Sequence, residues 1–128
     1  MMLPWIICKL FGHIRRERIL TGEKDFDHIS HITCHISPEL KKHYFLTPYV
    51  EPQDIGWALN KADLIVSRAG ANTVCEIAVL GKPALFIPIP WSYQDEQRKN
   101  AQMLVEAGTA EILAQSELSG QALLERIE

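Results

Sequence analysis

The sequence predicts an α/β fold: a parallel sheet with helices on both faces. Three observations carry this. Asp63-Leu64-Ile65-Val66-Ser67 and Ala84-Leu85-Phe86-Ile87 are apolar through their middles rather than alternating, as strands covered on both faces are. A helical pattern, residues 73–80, lies between them and ends at Gly81, with Pro83 just beyond. The second half as a whole alternates helix and strand, which implies crossover connections and parallel pairing.

The elements follow in order. Residues 3–14 are expected to form a short helix, because Trp5, Ile6, Leu10, Phe11 and Ile14 are loosely helix-spaced and Gly12 weakens its end. Arg15 and Arg16 follow it, so a membrane-surface helix is the alternative to a core helix. Arg18-Ile19-Leu20-Thr21 reads as a short strand stopped by Gly22. The polar, histidine-rich residues 23–42 read as a helix, a loop and a second short helix. Tyr44-Phe45-Leu46 has strand composition, and Pro48 ends it. After the connector Tyr49-Val50-Glu51, Pro52 suits a first helical turn, and Ile55, Ala58, Leu59 and Ala62 recur at helical spacing.

The helix after Val66 is expected to bury Val74, Ile77, Ala78 and Leu80. Residues 94–107 read as a helix with Ala101, Leu104, Val105 and Ala107 inward, closed by Gly108. Ala110-Glu111-Ile112-Leu113 is a short strand candidate, and Ser119 is placed to cap a last helix.

Composition bounds the function. The 128 residues carry 13 basic and 16 acidic side chains, a net charge of −3, so no basic footprint points to nucleic acid. Hydrophobic residues make up 47%, the share found in globular domains with a core. Cys8, Cys34 and Cys75 are odd in number and widely spaced, which suits a reducing compartment better than a disulfide framework. No apolar run approaches the roughly 20 residues of a transmembrane helix. The opening Met1–Cys8 is too short for a signal peptide and lacks a basic start.

In sheets of this kind ligands bind beyond the carboxyl ends of the strands. Ser67–Asn72 and Pro88–Gln94 fall there. Ser67-Arg68-Ala69-Gly70-Ala71-Asn72-Thr73 reads as strand end, small-residue loop and helix start. The first N–H groups of a helix have no internal partner and carry partial positive charge, so this is a candidate anion site. Gly70 and Ala71 allow close approach, and Arg68 either neutralises a phosphate or faces solvent. Glu76, one turn inside, can accept hydrogen bonds from a sugar diol; equally, Thr73-x-x-Glu76 matches a capping box. Gln97 and Asn100, three apart, share a helix face, and each amide can both donate and accept, as sugar hydroxyls require. The alternative for that face is simple solvent exposure.

Other patterns are weaker. His28-x-x-His31-x-x-Cys34-His35 has ligand spacing but no obvious carboxylate partner, and no metal site is expected. Asp25-Phe26-Asp27 is a minimal match to the acidic pair of metal-dependent sugar transferases. The chain has no Gly-x-Gly-x-x-Gly, Walker loop or nucleophile elbow.

Residues 67–77, then Leu80-Gly81-Lys82-Pro83-Ala84-Leu85-Phe86-Ile87-Pro88, then Asp95-Glu96-Gln97 and Asn100-Ala101, resemble the C-terminal domain of the MurG-type transferases of glycosyltransferase family 28. The likeness is best over residues 44–115 and reaches weakly back to Ile19–Gly22. It implies a Rossmann-like domain of a GT-B enzyme that holds UDP-N-acetylglucosamine and passes the sugar to lipid I, forming lipid II in peptidoglycan synthesis. By that resemblance Glu76 binds the ribose, and Gly70, Ala71 and Asn72 lie against diphosphate and sugar. The Ala71 N–H reaches the sugar, and Thr73 and Arg68 belong to the same binding loop. Gln97 and Asn100 bind the N-acetylglucosamine hydroxyls, and Val50 offers backbone groups to the uracil. The role of Glu96 stays open.

The resemblance further implies inverting chemistry without a metal or cofactor, at the cytoplasmic face of the bacterial membrane. The family's Gly-Gly-Ser-type loop, its acceptor domain with the catalytic base, and its final crossing helix have no counterpart here. The chain is therefore expected to be one partial domain, 1–128, with its catalytic residues elsewhere. The alternatives are a stand-alone nucleotide-sugar-binding subunit that works with a partner, and a non-catalytic relic.

Overall fold

A computed structural model describes residues 5–11, 14–21 and 23–127. They divide between Asp63 and Leu64 into two compact units.

In the first unit, β1 (Trp5–Phe11) and β2 (Ile14–Leu20) form an antiparallel pair, with Trp5 opposite Leu20 and Phe11 opposite Ile14. The helix expected over 3–14 is thus replaced by strands, and with it goes the membrane-surface helix. A dense apolar run does not distinguish strand from helix; here the ladder between neighbouring segments decides. Gly12 and Gly22, expected to end elements, lie outside the described residues. β2 then pairs in parallel with β3 (Tyr44–Thr47), Glu17 opposite Tyr44 and Leu20 opposite Thr47. The Thr21 N–H extends that ladder to the Thr47 carbonyl at 3.1 Å.

Between these strands run α1 (Glu23–Cys34) and α2 (Pro38–Lys41), as the histidine-rich stretch suggests. Glu23 and Asp25 in the first turn of α1 favour its positive end. Pro38 opens α2 behind Ser37, whose hydroxyl accepts from the Leu40 N–H at 3.4 Å. α3 (Pro52–Asn60) begins at Pro52 and buries Leu59, with Ala62 buried just after it.

The second unit is built on three parallel strands: β4 (Leu64–Ser67), β5 (Ala84–Phe86) and β6 (Ala110–Ile112). Ser67 stands opposite Phe86, and Phe86 opposite Ile112. Backbone bonds carry the ladder one step further, from the Ile87 N–H to the Ser67 carbonyl and from the Leu113 N–H to the Phe86 carbonyl, each at 2.9 Å. The carboxyl ends of the strands are therefore level.

Helices α4 (Ala71–Leu80) and α5 (Glu96–Glu106) connect the strands. Gly81 ends α4 at φ 61°, and the N–H groups of Gly81 and Lys82 reach back to the Ala78 and Ile77 carbonyls. This is the left-handed stop in which glycine avoids a side-chain clash. Phe86, Ile65, Ile77, Leu85 and Ala101 are essentially inaccessible and form the core. Val74 and Leu104 join them, whereas Ala78 and Ala107 are exposed and Leu80 and Val105 half-buried. The periodic pattern thus overstated the buried arc: a helix resting on one layer buries a narrower stripe than its small and apolar residues allow. A 3₁₀ turn at Gln115–Glu117 precedes α6 (Gly120–Ile127), which Ser119 caps by accepting from the Ala122 N–H at 3.0 Å.

Candidate functional site

The loop between β4 and α4 sits at the carboxyl end of β4, where the sequence puts an anion site. Gly70 is the residue before the helix, in an ordinary extended conformation (φ −63°, ψ 149°). Its carbonyl accepts from the Val74 N–H at 3.0 Å, the first bond of the helix. Ala71, Asn72 and Thr73 are consequently the first three helical residues. Their N–H groups have no partner among the described residues and lie at the positive end of the helix dipole.

This placement removes the capping box. Thr73 is the third residue of α4, not its cap, and no side chain caps the helix start. Glu76 is exposed in the second turn, with no hydrogen bond or ion pair among the described residues. Ala71 and Asn72 are also exposed, while Gly70 and Thr73 are half-buried. A methyl group added at Gly70 would meet nothing within 4 Å. The fold itself does not require glycine there.

Arg68 is half-buried rather than turned wholly to solvent. Its Nη1 donates to the Ile87 carbonyl at 2.7 Å, which ties the loop after β4 to the end of β5. Its Nε is buried without a partner. Burial lowers the guanidinium pKa, because removing the cation from water penalises the charged form.

The polar face of α5 completes the arrangement. Gln97 Oε1 accepts from the Ile89 N–H at 3.0 Å, and Asn100 Nδ2 donates to the Ala69 carbonyl at 3.1 Å. Both side chains are half-buried, so the solvent-exposed alternative fails for this face. Backbone chemistry fixes which way each amide is turned: an N–H must meet oxygen, and a carbonyl must meet NH2. Gln97 therefore keeps its NH2 donors for other partners, while Asn100 keeps its oxygen and one N–H.

The helix enters through a 3₁₀ turn, Tyr93–Asp95, in which Gln94 (φ 49°) and Asp95 (φ 58°) are both left-handed. Consecutive non-glycine residues in that region are strained, a feature concentrated at binding sites. Beside the turn lies an open cleft of about 240 Å³ lined by Tyr93, Gln94, Glu96, Lys99 and Asn100. Tyr93, Gln94 and Lys99 lie in stretches that the sequence marks, but none was given a binding role of its own, since backbone handedness leaves no mark in the residue pattern. Glu96 lines the cleft as the first residue of α5.

Arg68, Gly70, Ala71, Asn72, Thr73, Glu76, Gln97 and Asn100 thus share the second unit, and Arg68, Gln97 and Asn100 are tied to the two strand-end loops. Val50, half-buried in the connector between β3 and α3, belongs to the first unit. The histidine-rich segment is helical, and the rings of His31 and His35 meet edge to face at 5.3 Å. Among the described residues no group of three or more potential ligands could hold a metal ion. Cys34 and Cys75 are free and exposed.

A family model described as the glycosyltransferase family 28 C-terminal domain matches residues 11–128. The chain belongs to this family. Its family 28 relatives include a Trichlorobacter lovleyi protein, 44% identical over 80 residues, covering 62% of this chain and 20% of the relative. A Desulforamulus reducens protein is 35% identical over 124 residues, covering 94% of this chain and 33% of the relative. Both are named UDP-N-acetylglucosamine–N-acetylmuramyl-(pentapeptide) pyrophosphoryl-undecaprenol N-acetylglucosamine transferase. Among solved structures, Acinetobacter baumannii MurG superposes with a TM-score of 0.72 at 28% identity, over 86% of this chain and 30% of that one. The family 28 chain described here therefore spans a third or less of these relatives' lengths, and its fold is the Rossmann-like, GT-B type expected.

Proposed function

We propose that this chain is the donor-binding part of an inverting, metal-independent hexosyltransferase. It moves N-acetylglucosamine from UDP-N-acetylglucosamine to lipid I, giving lipid II for peptidoglycan synthesis. The observation that carries the reading is the set of three unpartnered N–H groups, Ala71 to Thr73, at the carboxyl end of β4, with Glu76 free one turn along. The names of the relatives and the order of the matched motifs support this choice of sugar and acceptor.

In this reading the amides at the start of α4 lie against the diphosphate and stabilise the charge that develops as UDP leaves, with the Ala71 N–H reaching on to the sugar. Glu76 accepts from the ribose hydroxyls. The NH2 of Gln97 donates to one sugar hydroxyl, and the oxygen of Asn100 accepts from another. The acceptor hydroxyl attacks the anomeric carbon from the opposite side, with its general base on the acceptor domain. That domain also carries the contact with the cytoplasmic membrane face; among the described residues no helix is long and apolar enough to cross a membrane.

Titration calorimetry tests the reading. The chain should bind UDP-N-acetylglucosamine, and Glu76→Ala should weaken binding about 10- to 100-fold, the worth of hydrogen bonds to a charged acceptor. Failure of the folded chain to bind UDP or UDP-N-acetylglucosamine would refute it.

A further inference from the structure

We propose that Asn100 is a positioning residue for the diphosphate end of the donor, acting through the Ala69 carbonyl on the aim of the α4 amides. This rests on the donor-site reading above and adds to it a role that contact with the sugar would not give.

The geometry starts from a buried carbonyl outside the helical ladder. Ala69 is fully buried, in the turn between the last strand residue of β4 and the first turn of α4. The helix takes its first bond at the Gly70 carbonyl, so the Ala69 carbonyl falls outside the helical ladder. Among the described residues its hydrogen bond comes from Asn100 Nδ2, 31 positions along the chain. A buried carbonyl left unpaired is costly, so this bond holds the Ala69–Gly70 peptide plane in one orientation.

That plane is next to the functional groups. Gly70 has no side chain to restrict it, and the Ala71 N–H follows one peptide later. Rotation about Gly70 would redirect the amides of Ala71, Asn72 and Thr73 as a set. Two neighbouring bonds give the same frame stiffness: Arg68 to the Ile87 carbonyl, and Gln97 from the Ile89 N–H. They brace the strand-end loops, whereas among the described residues it is Asn100 that bonds the residue directly before Gly70.

Three ligands separate the possible roles. The diphosphate is read from the affinity of UDP relative to UMP. The sugar is read from UDP-N-acetylglucosamine relative to UDP. Asn100→Asp keeps the size of the side chain but sets an oxygen against the Ala69 carbonyl; Asn100→Ser restores a short hydroxyl donor, and circular dichroism confirms that both are folded. For Asn100→Asp we expect the UDP-to-UMP affinity ratio to fall about tenfold while UMP binding stays within about twofold, with partial recovery in Asn100→Ser. If UMP and UDP weaken alike, the residue is only structural. If only the sugar-dependent ratio falls, it is only a sugar ligand. Either result overturns the proposal. A folded wild-type chain that binds none of the three ligands sinks the donor-site reading itself, whereas wild-type binding with an unchanged UDP-to-UMP ratio in Asn100→Asp sinks this inference alone.

Discussion

The Arg68 guanidinium donates to the Ile87 carbonyl at 2.7 Å, joining the loops that leave β4 and β5. Its Nε, buried without a partner, shows that the bond comes with a desolvation cost. Removing the side chain should still destabilise the second unit, because the Ile87 carbonyl would lose its charged donor. Arg68→Ala is expected to cost about 1–3 kcal/mol in urea unfolding. Burial depresses the folded-state pKa, so the penalty on the charged form is constant below that pKa and is relieved only as pH rises through it. Arginine titrates far above neutrality, so the Arg68→Ala difference should be the same at every pH from mildly acidic to mildly alkaline.

Gly70 separates fold from binding. Its backbone angles suit any residue, and a Cβ there meets nothing within 4 Å. Gly70→Ala should leave the melting temperature unchanged or slightly raised, since a less flexible unfolded chain is worth up to about 1 kcal/mol. The same methyl group narrows the approach to the Ala71–Thr73 amides, so UDP affinity should fall. Parallel melts and titrations check both halves.

Gln97 offers a test of amide polarity. Its Oε1 already serves the Ile89 N–H, while both N–H donors of its NH2 are uncommitted among the described residues. Gln97→Glu keeps the acceptor and removes the donors. Stability should be retained within about 0.5 kcal/mol, as for substitutions that break no buried partner. UDP-N-acetylglucosamine should lose affinity while UDP does not, which calorimetry with the two ligands measures.

The left-handed pair Gln94–Asp95 holds strain beside the cleft. Glycine pays no steric penalty in that region, so Gln94→Gly and Asp95→Gly should each raise stability by about 1 kcal/mol. Thermal unfolding of the single and double variants reads this directly; a loss of stability in both would mean that their side chains, not their backbones, hold the turn.

Much of the second unit was legible because its signals are local. Gly81 and Pro83 end α4 by backbone chemistry, and the apolar runs at Leu64–Val66 and Ala84–Ile87 leave a parallel strand little alternative. The first unit was harder. Trp5–Phe11 has no periodicity that separates strand from helix, and its antiparallel partner β2 opens with Ile14, Arg15 and Arg16, which read as the end and flank of a helix, so only its later part from Arg18 reads as strand. At the site, the sequence supplied the residue types but not their commitments. Thr73 and Glu76 fit a capping box until the helix start falls at Gly70 instead. Arg68, Gln97 and Asn100 each spend part of their hydrogen-bonding capacity on a carbonyl or N–H distant in sequence, and spacing holds no record of that.

The central claim is that the free amides at the start of α4 receive a diphosphate. Backbone amide NMR of the ¹⁵N-labelled chain measures this residue by residue. Addition of UDP should shift the Ala71, Asn72 and Thr73 resonances strongly, and addition of uridine should leave those three nearly unmoved. Saturating UDP that leaves all three unshifted on the folded chain, or uridine that shifts them as far as UDP does, would contradict the account.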